Sequence, residues 1–471
     1  MFYLSIVFRK FYFNKTGKYS LFLVISLFLF ACNQKIRREN SSVARTVEIR
    51  EQNGQYQLFR NGEPYFIKGA AGPEHLDLIK ASGGNSIRVW DTNNVQEILD
   101  NAHKNGLTVT LGLRVAYAGK MDYGDEALVA AQLEELKKDV IRYKDHPALL
   151  MWGVGNELYS RIEGKDVMQH IKLWQAVNDI AKMIHEVDPN HPTTTMLPNI
   201  PRLITRYVAT FCEEIDILSF NVFGDISAIP KKVSDAGWDG PFLVSEYGIE
   251  GYWEQDPSNR TEWYAQIEPT SGEKVNYFLQ EYQELKAADN GKWLGAYVFY
   301  WGFKREYTRT WYSLFSERGE QTELVDVMQY LWSGNWPTNR APSIKSILLN
   351  GKKSEQNNYL EGGAKFRAAL TVQHLAPEEL LVNWEVQKDF VEVFFDATFG
   401  QEKETIVKSG SMPLKLCPKK PNSEKAKQAG EEYFLDLQAP VDEGPYRLMI
   451  WIVDKQLNKA ATSNAVFYVH N

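Results

Sequence analysis

The stretch Ala148-Leu-Leu-Met-Trp-Gly-Val-Gly-Asn156-Glu157 decides how this chain is read. Its apolar run has strand length and suits a parallel strand covered on both faces. Packing gives no reason for an amide and a carboxylate at the strand's exit. In a barrel of alternating strands and helices, the C-terminal ends of the strands are where reactive groups collect. Pro241-Phe-Leu-Val-Ser-Glu246 has the same form, an apolar strand that ends in a carboxylate.

Working outward, six further segments read as strands: 66–69, 85–91, 107–113, 192–197, 215–221 and 293–301. Helical patterns fall between them at 74–82, 95–105, 125–143, 166–187 and 273–288, with a last helix at 324–331. A hairpin with Asn61-Gly62 as its turn precedes the first strand. Strict alternation predicts a parallel sheet, and eight strands predict a closed (β/α)8 TIM barrel over 45–337. The Pro-flanked segment 338–343 reads as a linker. From 344 to 471 short alternating strands such as 366–372, 380–385 and 446–453 predict an immunoglobulin-like β-sandwich. The basic, turn-rich stretch 403–428 reads as a long loop within it.

The N-terminus reads as an address. Arg9, Lys10, Lys15 and Lys18 precede the apolar run Leu21–Ala31, which is too short to span a bilayer. This is the layout of a signal peptide over 1–31. Leu29-Phe-Ala-Cys32 resembles a bacterial lipobox, which implies lipidation of Cys32 and a membrane anchor at the bacterial cell envelope. Residues 32–44 read as a flexible tether. Cys212 and Cys417 lie far apart and read as small apolar fillers, with no disulfide framework and no zinc spacing.

Net charge is −7, and because 1–31 holds four basic and no acidic residues, the remainder carries −11. That balance argues against nucleic acid as a partner. No cluster has metal-ligand spacing and no glycine-rich phosphate loop is present, so no metal or cofactor is implied. Aromatic residues make up 13% of the chain, which fits a carbohydrate ligand and also fits a large core. A monomer is expected.

Two glutamates on two strand exits suit glycosidic bond cleavage. One carboxylic acid protonates the departing oxygen, and a second carboxylate attacks the anomeric carbon or activates water. Here the motifs meet a known pattern. Trp152-Gly-Val-Gly-Asn156-Glu157 resembles the W-x-x-x-N-E signature of clan A retaining glycoside hydrolases, whose catalytic pair sits at the ends of strands 4 and 7. Ser245-Glu246-Tyr247-Gly248 resembles the segment that carries their nucleophile. Asn85–Trp90, Asp216–Asn221 and Tyr300-Trp301-Gly302 make residues 60–335 most similar to the catalytic barrel of glycoside hydrolase family 2. The resemblance implies Glu157 as acid/base, Glu246 as nucleophile and Asn156 as a contact to the sugar 2-hydroxyl. It places Arg88 beside Glu246, where a cation favours the charged carboxylate. It makes Trp301 the sugar platform and adds Trp90, Asn221, Tyr247 and Trp253 to the substrate-binding set.

The chain also departs from that family. Family 2 barrels normally follow two β-sandwich domains, whereas about 20 residues separate the tether from the first strand here, and the sandwich comes after the barrel. Exo-acting specificity therefore does not carry over. The tyrosine usual after strand 6 is replaced in Asn221-Val-Phe223, so a phenol on the nucleophile has to come from Tyr247 or Tyr300 or be absent. A barrel with a C-terminal sandwich on a lipoprotein also resembles some β-glucanases, β-1,3-glucan-active ones included. The expected activity is retaining hydrolysis of β-linked oligo- or polysaccharide. A transglycosylase with the same glutamates and a non-catalytic glycan-binding lipoprotein are the alternatives. Trp90-Asp91, Tyr252-Trp253, Lys304-Arg305-Glu306 and Trp311-Tyr312 follow strand exits and suit a lined cleft.

Overall fold

A computed structural model describes residues 46–159, 167–256, 259–374, 380–389, 404–414 and 430–471. The expected signal peptide, the tether, Cys32 and Cys417 lie outside the described residues.

Eight parallel strands close a barrel: β1 Ile67–Ala71, β2 Ser86–Val89, β3 Thr108–Leu113, β4 Leu149–Asn156, β5 Thr193–Pro198, β6 Ile217–Phe223, β7 Phe242–Gly248 and β8 Trp293–Val298. Each strand pairs with its successor, and β8 pairs with β1. β3, β4 and β7 are buried along almost their whole length, as continuous apolar runs require when helices cover the outside and packed side chains the inside. The interior is filled. Tyr297 crosses it to bond Ser86 Oγ at 2.9 Å and Thr110 Oγ1 at 2.6 Å, and it occupies the place a side chain at Gly69 would need.

The helices are α1 Leu76–Ala81, α2 Val95–Lys104, α3 Glu126–Tyr143, α4 Val167–Val187, α5 Arg202–Phe211, α6 Ile229–Asp235, α7 Ser271–Ala288 and α8 Glu323–Ser333. Their ends follow local chemistry. Asp125 accepts from the Ala127 and Leu128 amides at the start of α3, and Thr270 with Glu273 forms a capping box on α7. Gly334, with φ 81°, ends α8 in the left-handed conformation. Helices α5 and α6 were not anticipated; α6 is only seven residues long and has a proline in its first turn. An N-terminal three-stranded sheet closes the opposite mouth, through Val47 N to Asn190 O and Tyr56 N to Gly291 O.

The C-terminal region is two facing sheets. One is β10 Ser343–Leu349, β12 Lys365–Gln373 and β15 Glu431–Gln438. The other holds β13 Leu380–Lys388, β14 Ile406–Pro413, β16 Gly444–Asp454 and β17 Lys459–His470, with β11 Tyr359–Glu361 on β17. Their inner faces share one apolar core that includes Leu370, Val382, Leu448 and Phe467. β14 takes up 406–413 of the stretch 403–428 expected to hold a long loop, and 415–428 lies outside the described residues. This edge strand has mostly exposed residues, so burial imposed no alternation on its sequence. The barrel also lends the sandwich a strand: β9 Gln321–Thr322, just before α8, pairs in parallel with β17.

Candidate active site

The site forms at the C-terminal end of the barrel, where two irregular strand exits turn carboxylates inward. β4 shifts register against β5 between Gly153 and Asn156. Gly155 there has φ 75°, and a β-carbon on it would lie 2.6 Å from the Leu158 side chain. Glu157 itself has φ 54°, an uncommon conformation for a non-glycine residue, and its amide is tied to Met196 O at 2.9 Å. β7 carries a bulge at Ser245, between the pairs Val244–Phe220 and Glu246–Asn221. The extra residue lets consecutive side chains both find interior partners. Ser245 Oγ donates to Asn221 Oδ1 at 2.7 Å, and Glu246 meets Arg88.

One hydrogen-bonded network joins the two glutamates. Arg88, on β2 and 1% exposed, directs Nη1 to Glu246 Oε1 at 2.5 Å and to Ser245 O at 3.1 Å. Its Nη2 donates to Asn156 Oδ1. Asn221 Nδ2 donates to Asn156 Oδ1 at 3.0 Å and to Glu157 Oε1 at 2.8 Å. Trp90 Nε1 donates to Glu246 Oε1 at 2.8 Å. Arg88 thus supplies buried positive charge to Glu246, and the Asn221 amide donates to Glu157.

That asymmetry sorts the pair. Burial raises the Glu157 carboxyl pKa, the Glu246 charge raises it further, and the Asn221 hydrogen bond and Arg88 oppose them; the result is about 7. A carboxylic acid still protonated near neutrality is what a general acid has to be. Glu306, on the loop after β8, adds a smaller upward push on Glu157.

Arg88, Trp90, Asn156, Glu157, Asn221 and Glu246 therefore come together. Two expected residues do not join them. Tyr247 points outward into the barrel wall, 2% exposed, with its hydroxyl on Met328 Sδ at 3.4 Å and its ring among Phe278 and Tyr282. Strand alternation after the bulge sends it to the helix layer. Trp301 is fully buried between Phe315 and Trp332, so it is core and not a sugar platform. The neighbouring Tyr300 takes the surface position. It is half-buried, stacks on Trp90 with ring centroids 6.1 Å apart and bonds Glu74 Oε1 at 3.1 Å. The Phe299–Tyr300 peptide is cis. Neither tyrosine reaches the nucleophile position, where Trp90 supplies the donor instead. Trp253 sits half-buried at the rim, edge-on to Phe223 and beside Tyr312. Trp311 and Tyr312 pack inside and do not line a cleft.

The exchange between Trp301 and Tyr300 is testable by separating stability from binding. Trp301→Ala is expected to cost about 3–5 kcal/mol in urea unfolding, the usual loss for a fully buried tryptophan. Tyr300→Ala is expected to leave the unfolding midpoint nearly unchanged and to raise KM about tenfold through the lost ring contact. Equal stability losses in the two variants would contradict this placement.

Glu74 was missed because it acts through a contact made across the fold, with no local motif to mark it, whereas Glu306 lies in the Lys304-Arg305-Glu306 segment expected to line a cleft. Among the described residues, no group of three or more His, Cys, Asp or Glu side chains is placed to hold a metal ion. A separate polar cavity of about 340 Å³ lies away from the glutamates, lined by Gln255, Glu268, Lys274 and Lys345 where the barrel meets the sandwich.

A protein-family model agrees with this barrel. The family model described as glycosyl hydrolases family 2, TIM barrel domain, matches residues 76–298. The β-glucuronidase of Sus scrofa is 24% identical over 255 residues, 47% of this chain and 36% of that protein. The human β-glucuronidase is 22% identical over 241 residues, 44% of this chain and 35% of that protein. The chain thus spans little more than a third of the length of these curated relatives. Among solved structures, a Bacteroides uniformis β-glucuronidase aligns over 90% of this chain and 48% of its own, with 14% identity and a TM-score of 0.47. A β-galacturonidase from Eisenbergiella tayi aligns over 61% and 54%, with 18% identity and a TM-score of 0.45. The segment that carries Arg88, Trp90, Asn156, Glu157, Asn221 and Glu246 is therefore the segment that matches the family 2 TIM barrel domain of the glycosyl hydrolases.

Proposed function

We propose that this protein is a retaining glycoside hydrolase of β-linked sugars, with Glu157 as acid/base and Glu246 as nucleophile. The observation that carries the reading is the single Arg88–Asn156–Asn221 network, which gives Glu246 a buried cation and leaves Glu157 protonated up to about pH 7. In the first step Glu246 attacks the anomeric carbon while Glu157 passes its proton to the leaving oxygen. In the second, Glu157 takes a proton from water, which displaces the glutamate ester. The resemblance assigns Asn156 to the sugar 2-hydroxyl, and its position beside both glutamates through Arg88 and Asn221 supports that role. The stacked Tyr300 and Trp90 rings support an aromatic face for the sugar.

The substrate class follows from two supports. The curated relatives are β-glucuronidases, which makes β-uronides the first class to test. The resemblance to lipoprotein β-glucanases makes β-1,3-glucan the second. A panel of aryl β-D-glucuronide, β-D-galacturonide, β-D-glucoside and β-1,3-glucan, read by reducing-end release and by proton NMR of the first-formed anomer, decides both points. Release of the β-anomer from one member is expected. Release of the α-anomer would overturn the retaining mechanism, and no release from any member would overturn the hydrolase reading. Products that grow only when an acceptor sugar is added would favour transglycosylation. We also propose that Cys32 carries a lipid anchor at the bacterial envelope, which the lipobox-like leader supports. Intact mass spectrometry of the protein from membranes is expected to show the acyl mass on Cys32, and an unmodified Cys32 would refute it.

A further inference from the structure

The loop after β8 is built as a hairpin whose base is at the site and whose tip is in the sandwich. At its base, Tyr300 N donates to Tyr312 O at 3.0 Å and Leu314 N to Tyr300 O at 3.2 Å. The same base presents the Tyr300 ring to Trp90, the residue that bonds Glu246. Midway, Lys304 pairs with Glu306 at 2.8 Å, and Glu306 acts on the Glu157 carboxyl. The tip, residues 307–310, makes its polar contacts elsewhere.

Those contacts form a buried network that crosses the domain boundary. Glu268, fully enclosed, accepts from Lys274 Nζ, Thr308 Oγ1 and Asn464 Nδ2, each at 2.6 Å, and from Thr310 Oγ1 at 3.1 Å. Burial would raise its pKa, but Lys274 and these donors outweigh it and hold the carboxyl below its ordinary value. Arg447, 0% exposed on β16, grips Asp389 with Nε and Nη2 at 3.0 Å each. The same guanidinium donates to Asn464 Oδ1 at 2.6 Å and to Gln266 O at 2.9 Å, and lies 5.5 Å from the Tyr307 ring centroid. On the rim, Arg309 pairs with Glu385 and lies over Trp451, and Arg305 pairs with Glu404. A buried ionic network is a costly way to join a spacer, since desolvation offsets most of its attraction. It does fix geometry, because each partner must keep its place to satisfy the others.

We infer that the sandwich is a working part of the active site, with Arg447 a positioning residue that holds the β8–α8 loop so that Tyr300 keeps its stack on Trp90 and Glu306 stays near Glu157. This rests on the hydrolase reading for its catalytic consequence but not for its structural one. Arg447→Met keeps the volume and removes the fork. It is expected to raise amide hydrogen exchange across residues 303–313 by about tenfold or more, as a tethered loop becomes a loose one. It is expected to lower kcat/KM by about 10–100-fold, mainly through KM, since a displacement near 1 Å costs rates of that order. The basic limb of the pH profile should move down as Glu306 withdraws from Glu157. Arg447→Lys should restore only part of the activity, because an ammonium cannot make the paired contact to Asp389.

Val382→Ala is the control. It trims the sandwich core away from the loop network and should lower Tm while leaving kcat/KM and loop exchange at the wild-type level. If Arg447→Met fails to fold, Arg309→Gln, which cuts only the rim contacts, is measured in the same way. Unchanged exchange at 303–313 in a folded variant overturns the inference. So does a loss of activity that Val382→Ala reproduces at equal Tm loss. A wild-type protein inactive on every sugar would refute the proposed function alone, and the exchange comparison would still decide the role of Arg447.

Discussion

Glu246→Gln is expected to lower kcat by about 10⁴–10⁶-fold, the scale seen when a covalent catalyst loses its nucleophile. The amide keeps an oxygen that can accept from Arg88 Nη1 and Trp90 Nε1, so the pocket keeps its shape while losing the attacking charge. Arg88 also retains Ser245 O and Asn156 Oδ1 as acceptors. The buried guanidinium nevertheless loses its counter-charge, so a lower Tm is expected together with the lost turnover. The decisive measurement is mass spectrometry after incubation with a slowly turned-over aryl 2-fluoroglycoside. Wild type should gain one glycosyl mass on the peptide that contains Glu246, and the variant should gain none. Label on any other residue would remove Glu246 from the nucleophile's role.

The second large effect is at Glu157. Glu157→Gln is expected to lower kcat/KM by about 10²–10⁴-fold on substrates with poor leaving groups, the range for a lost general acid, and by much less on activated aryl glycosides, whose kcat falls instead because hydrolysis of the glycosyl-enzyme loses its general base. Added azide should restore turnover of the activated substrates by attacking the glycosyl-enzyme without a general base, and the product should be the β-glycosyl azide. The pH dependence gives an independent check. Glu157 must hold its proton for the first step, so kcat/KM should fall as pH rises through about 7, and this limb should vanish in Glu157→Gln. Stability moves with the same proton. A carboxyl whose pKa is raised on folding contributes its stabilisation below its ordinary value of 4.5 and loses it as pH rises through about 7. Glu157→Gln should therefore raise Tm relative to wild type at pH 8 and not at pH 4. A basic limb that persists unchanged in the variant would assign it to another group.

Most of the barrel was legible in the sequence because burial on two faces leaves a strong signal. All eight strands were located, and the turn at Asn61-Gly62 was found from its dipeptide. Elements without such constraint were lost. β14 is exposed along its edge, and α6 is a seven-residue helix with a proline in its first turn. At the site, residues on regular strand positions such as Arg88 and Asn221 were recognisable, because motif and strand register agree. Residues whose direction depends on a bulge or on the chain after β8 were not. Tyr247 and Trp301 carry the right chemistry but point into the core, and Tyr300 stands where the ring was expected one residue later.

By itself, the sequence determined the eight-fold alternation, the two glutamates at the exits of the fourth and seventh strands, and the aromatic and amide residues around them. These follow from the local chain, through strand-length apolar runs and polar residues that packing does not demand. Only the tertiary structure decided what distinguishes the two carboxylates. Arg88 reaches Glu246 from 158 residues away, and Asn221 reaches Glu157 from 64. It also decided that the loop after β8 is anchored in the sandwich, since Arg447 meets Tyr307 across 140 residues. Protonation and orientation are set by through-space contacts, and a linear pattern carries none of the distances on which they depend.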